Sequence, residues 1–141
     1  MVEAIQLSSF MEAAVMKAVT IAQMTVRVAG VLLVLLGIYI WTRNGDQVIP
    51  VHEFLGFVLV LGLWTLAFIA ARAGVVVGLV VAGFVWGLIA PVLGLTQDNL
   101  LTGNYHWAIQ VVHLVIGLGA IGIAERLAME IKARRAVPAT A

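Results

Sequence analysis

Three histidines, His52, His106 and His113, are the side chains best suited to chemistry in this cysteine-free chain. Neutral imidazole is the commonest metal ligand, and two imidazoles facing each other can hold one iron from both sides. His52 sits in Val51-His52-Glu53-Phe54-Leu55-Gly56, and His113 in Val112-His113-Leu114-Val115-Ile116-Gly117. Both read Val-His-x-x-x-Gly. On a helix, Gly56 and Gly117 lie one turn from their histidines on the same face, where a missing side chain lets a flat macrocycle pass. A Leu-Gly pair precedes each motif, Leu36-Gly37 and Leu93-Gly94, so the chain reads as two copies of one helical hairpin.

The medium makes these histidines informative. Of the 141 residues, 63% are hydrophobic and 11% charged, whereas soluble domains are about 45–50% apolar and about 25% charged. Four continuous apolar stretches run from about Val28 to Trp41, Val51 to Ala71, Val75 to Leu95 and Trp107 to Ala124. A helix needs about 20 residues to cross the hydrocarbon, and continuous runs exclude the alternation of a β-barrel. The expected fold is an all-α membrane protein, a four-transmembrane-helix bundle spanning residues 27–131. The first and fourth stretches are short, and Arg27 and Arg126 are expected to mark membrane edges by snorkelling. Residues 1–26 form either a helix lying at the interface or an extension of the first span. Residues 132–141 read as a basic, frayed tail.

Loop charge sets the expected orientation. With the first span leaving the cytoplasm, Lys17, Arg27, Arg72, Arg126, Lys132, Arg134 and Arg135 lie inside and only Arg43 outside, as the positive-inside rule requires. Both termini are then cytoplasmic, in the cell inner membrane. The acidic opening Met1-Val2-Glu3 is unlike a signal peptide. Trp41, Tyr105 and Trp107 fall at an outer aromatic belt, and all three histidines fall in the outer half.

Which histidine pairs with His52 is contested by two observations. The repeated motif favours His113. Depth favours His106, because His52 lies twenty residues before Arg72 and His106 twenty before Arg126, against thirteen for His113. His113 is the ligand assigned here with His52, because it lies well inside the apolar run and an unpartnered imidazole there costs several kcal/mol. His106, flanked by Tyr105 and Trp107, can be wetted at the interface.

At these residues the chain resembles the small four-helix cytochrome b membrane proteins, among them superoxide oxidases and haem-carrying electron-transfer subunits. The resemblance spans about Val28 to Ala124 and rests on the layout and the two His-x-x-x-Gly motifs. It implies haem b held by His52 and His113 near the outer face, with Gly56 and Gly117 giving clearance. It also implies Arg43 or Gln110 near the propionates, and a quinol as electron donor. Such proteins often carry two haems on four histidines; three histidines imply a single bis-histidine haem, passing electrons to an external acceptor. Two other readings stay open: a cofactor-free structural or assembly subunit of a larger membrane complex, and a chlorophyll-type pigment protein using one histidine. The expected surroundings are the lipid bilayer, with self-association through glycine-rich faces or membership of a larger complex.

Composition argues against other classes. No basic run suits nucleic acid, and no hydrolytic triad, phosphate loop or zinc motif appears. Intramembrane acids look too scarce for a proton-coupled transporter.

Overall fold

The computed structural model describes residues 2–43 and 45–136. Four helices account for nearly all of them: α1 Val2–Arg43, α2 Ile49–Arg72, α3 Val77–Thr96 and α4 His106–Ala136. All four are long and apolar enough to cross a membrane, so this is a multi-pass membrane protein. Their limits follow from local chemistry. Pro50 occupies the first turn of α2, where its missing N–H costs nothing. The α2–α3 turn needs a residue at positive φ, and Gly74 supplies it at 70°. Three short 3₁₀ turns, Asp46–Val48, Gln97–Asn99 and Gly103–Tyr105, carry the other two connections.

Consecutive helices pack side by side, α4 closes against α1, and α2 touches α4 across the diagonal. Among the described residues α1 and α3 make no contact, so the sequence's glycines do not bring those two helices together. They serve other crossings. A Cβ on Gly62 of α2 would lie 2.8 Å from Val26 of α1, and one on Gly83 of α3 would lie 3.1 Å from Ala67 of α2 and 3.0 Å from Leu127 of α4. Two tryptophans peg neighbouring helices together. Trp64 donates its indole N–H to the Phe84 carbonyl at 3.2 Å beside Gly87, and Trp86 donates to the Ile116 carbonyl at 2.8 Å beside Gly119.

The bundle has two unlike ends. The end carrying the α2–α3 turn bears Lys17, Arg72, Lys132, Arg134 and Arg135 and is called the basic end. Toward it the core is dense: Val19, Val26, Leu63, Leu66, Leu127 and Ile131 are fully buried. At the opposite end the helices part, and no residue of α2 before Leu59 is buried. A dense core at one end and an opening at the other let a bundle hold a ligand without losing its stability.

The structure selects one of the two N-terminal readings and shortens the tail. The N-terminal segment is the extension of the first span, because α1 is one uninterrupted helix of 42 residues, about 63 Å long. The basic tail is shorter than expected, since α4 carries Lys132, Arg134 and Arg135 within its helix to Ala136; residues 137–141 lie outside the described residues.

These crossings predict an asymmetry between glycines. Gly62→Leu should destabilise the bundle by about 1–3 kcal/mol through overpacking. Gly78→Leu, where a Cβ meets nothing within 4 Å, should leave stability nearly unchanged. Thermal unfolding in detergent measures both.

Candidate functional site

His52 stands in the first turns of α2 and His113 two turns into α4, and the parallel course of these helices brings the rings together. Their centroids are 6.3 Å apart and their planes meet at 47°. A metal bonded to one nitrogen of each ring at about 2.0–2.1 Å would set the centroids roughly 6.3 Å apart, since each nitrogen lies about 1.1 Å from its ring centre. The depth conflict dissolves with the true length of α4. His52 is twenty residues before Arg72, and His113 is nineteen before Lys132, which is where α4 reaches the basic end. Arg126 therefore does not mark the membrane edge.

Each ring leaves its Nδ1 buried without a hydrogen-bond partner. An unmet imidazole nitrogen in an apolar bundle carries a cost that a bonded metal would remove. No group of three or more His, Cys, Asp or Glu that would suit a metal ion exists among the described residues. Two protein ligands alone suit a metal that brings its own equatorial donors, as a porphyrin-bound iron does.

The rings open onto a cavity of about 610 Å³ bounded by all four helices, within the about 300–1,000 Å³ usual for ligand pockets. Gly56 and Gly117 line it, and a Cβ on either would meet nothing within 4 Å. They keep the cavity wall clear one turn beyond each histidine. The Leu-Gly pairs act differently: they seat the rings. A Cβ on Gly37 of α1 would stand 3.4 Å from the His52 ring, and one on Gly94 of α3 would stand 3.0 Å from the His113 ring. Each imidazole thus lies against a glycine of the preceding helix, and the two hairpins repeat in space as they do in sequence. Pro91 lines the same cavity from within α3; its missing N–H leaves the Gly87 carbonyl without its helical donor.

His106 does not join the pair. Its Nδ1 lies 3.3 Å from the Leu100 carbonyl and its Nε2 4.0 Å from Asp98, so the 3₁₀ connection holds the ring at the mouth. Glu53, Gln110, Asp46, Gln97 and Asp98 also line the cavity, whereas Arg43, exposed at the end of α1, does not. The mouth therefore offers amides and carboxylates and no guanidinium. Carboxylates of a bound porphyrin would find hydrogen-bond donors in Gln110, Gln97 and His106.

A second polar constellation was not legible as such in the sequence. Arg27 is not at a membrane edge: it makes a two-point ion pair with Glu125, Nε to Oε1 at 2.6 Å and Nη2 to Oε2 at 2.7 Å. Gln23, buried in the core, donates to the same carboxylate at 2.7 Å and accepts from Lys132 Nζ at 2.6 Å. The contact of Gly62 with Ala22 and Val26 puts this cluster about 15 Å inside the Arg72 end of α2. Glu125 is thus an intramembrane acid. The signal was a carboxylate between two apolar turns of α4, masked by Arg126 beside it.

No protein-family model, curated protein or solved structure matches this chain.

If the paired imidazoles exist for a ligand, they weaken the empty bundle. His52→Leu and His113→Leu should each raise the thermal stability of cofactor-free protein by about 1 kcal/mol, by removing an unmet polar atom. Histidines serving packing would give the opposite sign.

Proposed function

We propose that the protein is a membrane-embedded b-type haem protein that binds one haem between His52 and His113 and transfers electrons between a quinol and an external acceptor or partner. The observation carrying this reading is the 6.3 Å approach of two imidazoles, each with an unpartnered Nδ1, inside a cavity bounded by four helices. Haem iron would supply a reversible one-electron change at that point.

The chain's own residues do the remaining work. His52 and His113 would hold the iron through one imidazole nitrogen each, with Gly37 and Gly94 seating their rings. Gly56 and Gly117 leave room for the macrocycle. Leu59, Val60, Leu114 and Ile121 exclude water from its faces, and an apolar surrounding of this kind raises the cost of adding charge and so tunes the potential. Gln110 and His106 stand where carboxylates would reach the mouth. The acidic rim of Asp46, Glu53 and Asp98 would take up protons leaving a quinol.

In this reading the histidine end faces outward from the cell inner membrane and both termini are cytoplasmic. The Lys and Arg side chains crowded at the basic end support that orientation, with Arg43 alone at the other. One observation favours a second reading, a cofactor-free subunit of a larger complex. The first turns of α1 project past the rest of the bundle and carry exposed Leu7, Phe10 and Met11, a surface suited to another membrane protein.

The dithionite-reduced visible spectrum of the purified protein tests the proposal. A sharp haem α band is expected, lost in His52→Ala and in His113→Ala and kept in His106→Ala. A colourless wild-type protein that co-purifies with fixed partners would establish the second reading instead.

A further inference from the structure

The Gln23–Arg27–Glu125–Lys132 cluster plays no part in holding a ligand between the histidines, yet it stands directly beneath them. The large cavity descends between the helices to Gly30, Leu59 and Ile121. There the Ile121 side chain fills the space of the missing Gly30 side chain, where a Cβ would come within 2.6 Å of Ile121 Cδ1 and 3.7 Å of Leu59 Cδ1. One helical turn further, at Arg27 on α1 and Glu125 on α4, the polar cluster begins. It continues through the Gln23 amide to Lys132. Lys132 in turn lines a small pocket of about 180 Å³ at the basic end, together with Glu12, Met16 and Arg135. That volume exceeds the roughly 30 Å³ share of a water molecule severalfold. On its α1–α4 side the bundle therefore carries polar side chains from the basic-end pocket to within one turn of the cavity floor. There the apolar layer of Gly30, Leu59 and Ile121 separates the two, while Leu63, Leu66 and Leu127 keep the rest of that section apolar.

We infer that this cluster is a proton path from the basic end to the floor of the histidine cavity, with Glu125 as the proton-accepting group and Ile121 as the gate. Ionisable side chains at membrane depth are costly and typically mark ion or proton routes. Lys132 and Arg27 would repel a metal cation. A proton needs only a donor, an acceptor and a short gap. The Gln23 amide holds Lys132 at one end and Glu125 at the other, so rotation of the lysine stem or a single water closes that gap. The Lys132 N–H bond breaks, a Glu125 O–H bond forms, and the amine regains its proton from water in the basic-end pocket. No electrons move. The Arg27 guanidinium restores the ionised carboxylate once the proton passes on.

The charged groups facing Glu125 are few. Arg27 comes from α1 and Lys132 from α4, while Arg126 is engaged with Glu130 at 2.9 Å. α3 has no titratable residue, and α2 has none between Glu53 and Arg72. What the proton serves rests on the redox reading above; its passage does not.

Proteoliposomes loaded with the pH dye pyranine, driven by a potassium gradient with valinomycin, test the path without any chromophore. Wild-type vesicles should be as tight as protein-free ones. Ile121→Ala should raise proton influx severalfold, and adding Arg27→Gln with Glu125→Gln should return it to the wild-type rate. The neutral pair keeps hydrogen bonds and leaves no lone buried charge. If Ile121→Ala fails to reconstitute, Ile121→Val should give a smaller rise of the same sign. An Ile121 variant that reconstitutes and stays tight would overturn the inference, as would a leak that survives neutralisation of the pair. Loss of the haem band with this flux pattern intact would end the redox proposal alone.

Discussion

Hydrocarbon offers no water to a polar atom, and that constraint shapes every part of this bundle. Thr20, Thr42, Thr65 and Thr96 each turn their hydroxyl back to a carbonyl one turn earlier in their own helix. Trp64 and Trp86 spend their N–H groups on neighbouring helices. Glu125 collects Arg27 and Gln23. Against this near-complete satisfaction, Gln97 Oε1 and the Nδ1 atoms of His52 and His113 are exceptions, and the two imidazoles stand 6.3 Å apart. In a structure this economical, two adjacent unmet groups are a place for something else to bind.

Packing divides the labour along the bundle axis. Near the basic end, alanines and glycines let α2, α3 and α4 approach closely around Leu63, Leu66 and Leu127, and dispersion contacts hold the helices together. The other end is then free to stay open, because it need not supply the stability. Pro91 and the glycines of the cavity wall would weaken a helix elsewhere; here they line space. The ion pair between Arg27 and Glu125 sits at the border of the two regimes, tying α1 to α4 where those helices begin to part.

Much of this was readable from residues. Continuous apolar runs gave α2 and α3 nearly to their ends, because such segments have no competing structure in a membrane. The His-x-x-x-Gly motif picked out the two imidazoles that lie beside each other, since a repeated hairpin repeats its geometry. Depth counting failed on one premise, that Arg126 lies at the membrane edge. In fact Arg126 pairs with Glu130 along its own helix, and α4 runs on to Ala136. The Arg27–Glu125 contact was hidden for a related reason: it joins residues 98 apart in sequence, and only the register of α1 against α4 brings them together. The seating of each imidazole on Gly37 or Gly94 was also beyond sequence, because a glycine near a histidine in space leaves no trace in spacing.

The two hairpins run in the same direction, so the rotation relating them has its axis along the membrane normal rather than in its plane. A duplication of that handedness stacks both copies of any residue on one leaflet. It gives a single shared centre on the axis, assembled half from each copy, and it cannot generate a mirrored centre in the opposite leaflet. The polarity of this molecule, with aromatic rings at one surface and cations at the other, is therefore written into how its halves are joined.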